Sequence, residues 1–147
     1  MPKKGTVKKV SQGYYKVSKS SAKEKEVILI KPVNKKAKTF SIPATVSIQG
    51  YTYKVTEITP KAFNNSKNLQ AVTIGKNVKK IGKEAFLGCK KLKKITIKST
   101  VLKSVGTNTI KGINKKAVIK CPKKQLKKYQ KLFGKKSGYQ KGMKLKK

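Results

Sequence analysis

The sequence predicts a mainly β solenoid: a short stack of repeated coils around one core, with an N-terminal strand and hairpin cap and a C-terminal capping helix. Three observations predict this fold class. Residues 55–77 are repeated at 78–100, each of these copies holds a short strand of alternating aliphatic residues, and apolar segments flank the repeats. A length of 147 residues suits one domain with its own core.

The repeat is clearest between residues 55–77 and 78–100, which align without a gap. Apolar residues recur in one fixed register at every landmark of the two copies: Val55 and Val78, Ile58 and Ile81, Ala62 and Ala85, Phe63 and Phe86, Leu69 and Leu92, Val72 and Ile95, Ile74 and Ile97. A single unit cannot bury its own apolar face, so such units must stack and share a core.

Degraded copies flank this pair and set the expected domain boundaries. In the third copy, Ile119 is aligned with Ile97. The spacing between these two residues is shorter than the spacing between the two clear copies, so this alignment assumes that the third copy has lost residues before its final strand. The expected organisation is an N-terminal β cap at residues 1–37, a solenoid at 38–121 (a partial repeat at 38–54, then repeats at 55–77, 78–100 and 101–121), and a capping helix with a Lys-rich tail at 122–147.

Each repeat contains two predicted elements. The period-two alternation of residues 72–74 predicts a short strand whose aliphatic side chains point inward. Residues 60–63 and 83–86 predict single helical turns, which place Phe63 and Phe86 in the core.

Both ends of the chain carry predicted capping elements. Strands are predicted at residues 13–17 and 26–30, and a β-hairpin at 48–53 with its turn at Gln49-Gly50. A helix is predicted at residues 123–133, because Leu126, Tyr129 and Phe133 recur on one face. Capping is favoured for this helix over binding to a membrane surface. The tail after Gly138 is predicted to fray unless Tyr139 and Met143 dock.

The charge balance narrows the candidate partners. The formal net charge is +36, from 40 basic residues that are all Lys and 4 acidic residues that are all Glu. This charge attracts polyanions over about 8 Å at physiological salt, so nucleic acid, anionic wall polymers and acidic membrane surfaces are all candidates. The absence of Arg, whose planar fork reads guanine, favours diffuse attraction over sequence reading. Alternatively, the lysines are a solubilising coat.

The compartment stays open at this level. No segment has the roughly 18 consecutive apolar residues of a membrane span. The basic start of the chain is not followed by the apolar stretch of a secretory signal, which is expected of a cytoplasmic protein or of a trimmed copy of an exported one. Cys89 and Cys121 are expected to be buried free thiols, with a disulfide as the alternative.

The residue types present argue against catalysis. Without His or Asp, no Ser-His-Asp or Cys-His arrangement is possible, and two Cys alone fall short of a structural zinc site. No Gly-rich phosphate loop is present. The glutamates are expected to neutralise nearby lysines. The sequence therefore predicts no catalytic residue, no metal site and no cofactor.

Residues 85–97, with the order Ala-Phe, Gly-Cys, Leu and Ile-Thr-Ile, resemble the unit of the BspA-like leucine-rich repeat family. The resemblance covers about residues 40–121, and the Lys-rich segment that follows is similar to the C-terminal end of such proteins from Gram-positive gut bacteria. It implies a leucine-rich-repeat β-solenoid, a cell-surface or secreted location, and a role in adhesion or protein binding. Cys89 falls on the core Cys of the family, whereas Cys121 has no counterpart.

The resulting hypothesis is a non-catalytic binding module of a bacterial surface or secreted protein, which binds a protein or glycan and is drawn to anionic wall polymers by its lysines. The candidate binding residues lie beside the predicted strands: Lys93, Lys94, Thr96, Lys98 and Lys120. One alternative is a cytoplasmic protein that binds nucleic acid non-specifically at low salt. Another is a purely structural C-terminal cap of a longer solenoid.

Overall fold

The computed structural model describes all 147 residues and arranges them in two β-sheets and one short α-helix. The strands are β1 Val7–Val10, β2 Gly13–Ser20, β3 Lys25–Pro32, β4 Thr39–Ser41, β5 Thr45–Ile48, β6 Tyr51–Ile58, β7 Ala71–Ile74, β8 Lys80–Ile81, β9 Lys94–Ile97, β10 Ser104–Val105, β11 Val118–Lys120 and β12 Lys144–Lys146, and the helix is α1 Leu126–Leu132. The fold is therefore mainly β, as the sequence predicts.

The first sheet has seven strands and changes character along its length. Strands β1, β2 and β3 pair antiparallel, whereas β3, β6, β8 and β10 follow one another in parallel. Strand β5 forms the predicted hairpin with β6, where Ile48 pairs with Tyr51 and the two turn residues, Gln49 and Gly50, have φ of 51° and 80°. This is the left-handed two-residue turn that Gln49-Gly50 predicts.

The second sheet has five strands, β4, β7, β9, β11 and β12, all paired in parallel. The chain alternates between the two sheets, and we call each segment that visits both sheets once a coil. The pairing of Val72 with Ile95 and of Ile58 with Ile81 confirms the register predicted for the two clear repeats. The result is a solenoid-like repeat whose inward side chains form a single cluster of 33 buried hydrophobic residues.

The predicted alignment of the third repeat is wrong. Ile119 pairs with Ile95, and not with Ile97, so this copy is not shortened before its final strand. In this register Cys121, which directly follows β11, points into the core and is 6% exposed. Cys121 thus occupies the inward strand position that Ile97 holds in the preceding coil.

The predicted helical turns are also absent, because residues 60–63 and 83–86 form hydrogen-bonded turns with one left-handed residue each. Lys61, Glu84 and Asn108 occupy equivalent positions with φ of 61°, 58° and 56°. This conformation aims alternate N–H groups at the next coil: Phe63 donates to Ala85 and Phe86 to Thr109. The turns therefore form a third wall that is hydrogen-bonded along the stack.

Aromatic packing and close backbone contact hold the coils together. Phe63 stacks on Phe86 with ring centroids 5.1 Å apart, and Phe40 meets Phe63 edge-on at 5.0 Å. Gly106 lies so close to the preceding coil that a Cβ there would stand 2.4 Å from the backbone nitrogen of Lys83. The placement of Phe63 and Phe86 in the core is as predicted, since both are 1% exposed.

The C-terminal segment forms a further coil and does not fray. A 3-10 turn at Lys123–Gln125 precedes α1, so the predicted helix at 123–133 is shorter than expected. After α1, the backbone carbonyls of Lys136 and Ser137 accept hydrogen bonds from the turn wall, and β12 pairs with β11. Met143 is 6% exposed, and the Tyr139 hydroxyl donates to its carbonyl at 2.9 Å.

Candidate functional site

The outward side chains of the second sheet form two rows that run across the strands. One row contains Thr39, Ala71, Lys94, Val118 and Lys144, and the other contains Ser41, Thr73, Thr96, Lys120 and Lys146. Because parallel strands are about 4.8 Å apart, each row is a line of closely spaced side chains. Both rows begin with small neutral residues and end with lysines, so positive charge is concentrated over β9, β11 and β12.

A shallow groove of about 570 Å³ lies over this charged end. We call it the lysine groove, and its lining residues are Lys93, Lys94, Asn114, Lys116, Val118, Lys120 and Lys146. Of the predicted residues, Lys93, Lys94 and Lys120 lie in the groove together. Thr96 is the strand neighbour of Lys120 on the same outward row, and Lys98 lies past the end of β9, outside the groove.

Sequence reasoning missed Asn114, Lys116, Val118 and Lys146. The Asn114 Oδ1 accepts a hydrogen bond of 2.8 Å from the Lys116 N–H, which fixes the turn that carries Lys116 to the groove. Lys146 reaches the groove because β12 continues the sheet. Lys144, Leu145 and Lys146 alternate between polar and apolar residues as Lys94, Ile95 and Thr96 of β9 do, but this short strand signal does not by itself place Lys146 in the groove.

The lysines of the groove have no carboxylate partner. The ion pairs join Glu24 and Glu26 to Lys19, Glu26 to Lys79, Glu57 to Lys80 and Glu84 to Lys83, over 3.3–3.7 Å. All four glutamates thus pair with lysines, as predicted, and none of these lysines belongs to the second sheet. Residues 85–147 contain 21 of the 40 lysines and no acidic residue. The charge of the groove is therefore neutralised only by solvent ions.

Away from the lysine groove, acidic residues line a cavity of about 530 Å³ beside β3 and β6. There Glu26 accepts hydrogen bonds from the Thr56 hydroxyl at 3.4 Å and from the Lys79 ammonium at 3.3 Å, which joins β3 to the parallel stack. No three metal-ligating side chains meet anywhere in the chain. None of the helices has the length and apolarity that crossing a bilayer requires.

The two cysteines are buried and free, as expected. The Cys89 thiol donates to the Phe63 carbonyl at 3.0 Å, and burial raises its pKa to about 11. Burial also raises the pKa of Cys121 above its usual value. Because the thiolate is the reactive form, these pKa shifts make both thiols poor nucleophiles at neutral pH.

A model of the BspA-type leucine-rich repeat region matches residues 34–137 with six copies of the repeat. The chain belongs to the BspA-type leucine-rich repeat family. BspA-type repeats are typically binding modules without catalytic activity, which agrees with the residue types in this chain. Comparison with curated proteins gave no significant match.

Solved structures of bacterial leucine-rich repeat proteins share this fold. A leucine-rich cell surface protein from Faecalibacterium prausnitzii is 21% identical with a TM-score of 0.64, over 80% of this chain and 37% of that one. A Bacteroides ovatus protein is 25% identical with a TM-score of 0.53, over 77% and 34% of the two chains. A Bacteroides capillosus protein is 21% identical with a TM-score of 0.51, over 78% and 70%. The chain thus spans little more than a third of the Faecalibacterium protein.

Proposed function

We propose that this BspA-type repeat chain is a non-catalytic binding module of a bacterial surface or secreted protein, and that the lysine groove holds an anionic wall polymer. The observation that carries the proposal is the row geometry over β9, β11 and β12, where Lys94, Lys120 and Lys146 face solvent without a carboxylate nearby. The description of the Faecalibacterium neighbour as a cell surface protein supports the location.

The direction of the rows determines the shape of ligand that fits. The lysines follow one another across the strands, along the stack of coils, so a linear polyanion lying parallel to the stack meets a new cation at each coil or two. An anion at this position relieves the repulsion between neighbouring ammonium groups. Lysines also form weakly directional contacts, which suits a polymer of repeating charge better than a base sequence.

We further propose that the stack is a short solenoid closed at both ends, with residues 1–37 and 122–147 as caps and 38–121 as the repeats. In support, β1 and β2 cover one end of the first sheet in antiparallel pairing. At the other end, α1 takes the place of a further strand after β10, and its Tyr129 is completely buried. Such covers shield the apolar side chains of the terminal coils from solvent.

The test compares two variants with equal net charge. One replaces the groove lysines Lys94, Lys116, Lys120 and Lys146 by Gln, and the control replaces Lys8, Lys9, Lys16 and Lys54, which are exposed on the first sheet and outside the ion pairs. Affinity for poly(glycerol phosphate) is measured across a salt series. The groove variant is expected to lose about 0.7 from the salt slope for each contact removed, whereas the control keeps the parent slope.

Two outcomes contradict the proposal. Equal losses in both variants would mean that the lysines act as a diffuse coat. A DNA duplex bound with defined stoichiometry at about 0.15 M salt, and more tightly than the phosphate polymer, would favour the nucleic-acid alternative.

A further inference from the structure

A second cavity, of about 420 Å³, lies between the β1–β2 turn and the segment that joins β4 to β5. We call it the neutral cleft, and its lining residues are Val10, Ser11, Gln12, Tyr15, Ser41, Pro43, Thr45, Val46 and Ser47. None of these lining residues is charged, although the protein has 40 lysines among 147 residues. Its volume falls within the roughly 300–1,000 Å³ of ligand pockets.

The walls of the neutral cleft are fixed by the backbone. Ser11 adopts a left-handed φ of 51° in the β1–β2 turn, and the Gln12 carbonyl accepts a hydrogen bond of 2.7 Å from the Val33 N–H. The apolar side is formed by Tyr15 and Val46, which are 2% and 6% exposed. The hydroxyl and amide side chains are on the rim. The cleft thus combines an apolar floor with a rim of uncharged donors and acceptors.

Tyr15 is the feature that points to a ligand. The hydroxyls of Tyr53, Tyr129 and Tyr139 have protein hydrogen-bond partners, whereas the Tyr15 hydroxyl has none, although the residue is only 2% exposed. Burial raises the pKa of Tyr15 to about 12, so the phenol stays protonated and can donate as well as accept at neutral pH. The Tyr15 hydroxyl oxygen keeps contact with solvent in the cleft, since Asn64 Oδ1 is the only fully buried side-chain oxygen or nitrogen without a partner, and a bound donor or acceptor in the cleft would supply its hydrogen bond.

We propose that the neutral cleft binds an uncharged saccharide unit. A sugar ring presents alternating hydroxyl donors and acceptors, which the rim hydroxyls, the Gln12 amide and the Tyr15 hydroxyl match, and its C–H faces pack on the apolar floor. The absence of lysine from the lining distinguishes this site from the lysine groove, because a ligand of the neutral cleft is not held there by electrostatic attraction. The inference is independent of polyanion binding in the groove.

The experiment titrates the folded, ¹⁵N-labelled protein with glucose, galactose, mannose and N-acetylglucosamine up to about 10 mM, which detects dissociation constants near 1 mM. At least one sugar is expected to shift the amide resonances of Ser11, Gln12 and Ser47 with a saturable dependence that is unchanged between low and high salt. Lysine-groove resonances should not move. Saturable shifts in the groove alone, or none for any of the four sugars, would overturn the proposal.

Variants locate the effect. Tyr15→Phe removes only the unpartnered hydroxyl and is expected to weaken sugar binding about three- to tenfold. The matched control, Tyr14→Phe, acts on the opposite face of β2 and should leave affinity unchanged. Ser47→Lys, at an exposed rim position, fills the cleft and should abolish binding. Unchanged sugar affinity in both cleft variants would refute the site. Binding of poly(glycerol phosphate) by Tyr15→Phe is measured separately, because it reports on the lysine groove and should not change.

Discussion

The Tyr129 hydroxyl anchors α1 at the C-terminal end of the stack, and the loss of stability on removing this hydroxyl follows from its two hydrogen bonds. The Tyr129 hydroxyl donates to the Ser99 carbonyl at 2.7 Å and accepts from the Leu102 N–H at 3.2 Å. All three residues are 0% exposed. Tyr129→Phe therefore leaves a buried donor and a buried acceptor without partners. Each such group costs about 1–3 kcal/mol, so we expect a loss of about 2–6 kcal/mol in the free energy of unfolding.

Urea denaturation followed by circular dichroism measures this loss, and a thermal scan should show a fall in Tm of about 2–4 °C for each kcal/mol. The control is Tyr139→Phe, since this hydroxyl is part-buried and makes one hydrogen bond, to Met143. It should cost less than about 1.5 kcal/mol. If Tyr129→Phe cost no more than Tyr139→Phe, α1 would not be anchored through this network.

Two further predictions concern the contact between coils. Gly106→Ala should lower the free energy of unfolding by about 2–3 kcal/mol, because the new Cβ clashes with Lys83. The control Gly50→Ala has open space around its Cβ and should cost about 1–2 kcal/mol from its positive φ alone. Equal costs in urea unfolding would contradict the close approach of Gly106 to the preceding coil. The raised pKa of Cys89 favours the protonated thiol in the folded state. The thiol's contribution to the free energy of unfolding is therefore present below about pH 9 and is lost as pH rises through about 11. Cys89→Ala should therefore lose less stability than the parent over that interval, and parallel urea midpoints would disprove the linkage.

The repeat and the hairpin could be predicted because each has a local signal. The apolar positions that recur in one register define which side chains face the core, since a register error of one residue would reverse every one of them. Gln49-Gly50 predicts its turn because the two-residue loop needs two left-handed residues.

The turn wall could not be predicted from local preference. Lys61 and Glu84 adopt left-handed conformations that their side chains disfavour, and the hydrogen bonds to adjacent coils compensate that cost. The misalignment of Ile119 has a related cause. The predicted and observed alignments differ by two residues and both turn Ile119 and Cys121 inward, so the strand period does not separate them, and only the pairing with β9 places Ile119 opposite Ile95.

Of the candidate site, the sequence shows the lysines of β9 and β11 because they flank a recognisable strand. It does not show that Lys146 joins them, since this depends on a coil lengthened by a helix in place of a strand. The neutral cleft is invisible in the sequence for a different reason. Its residues come from two segments, near positions 10–15 and 41–47, that only the packing of the N-terminal hairpin against β5 brings together.

The parallel pairing of successive coils also has a mechanical consequence. The backbone hydrogen bonds between coils point along the stack, and each coil contacts its neighbours alone, so tension between the two chain ends loads the terminal coils first. A protein tethered at one end and held at the other would lengthen coil by coil, releasing about 80 Å of chain with each. Such a tether absorbs pulling force gradually while the remaining coils keep their shape.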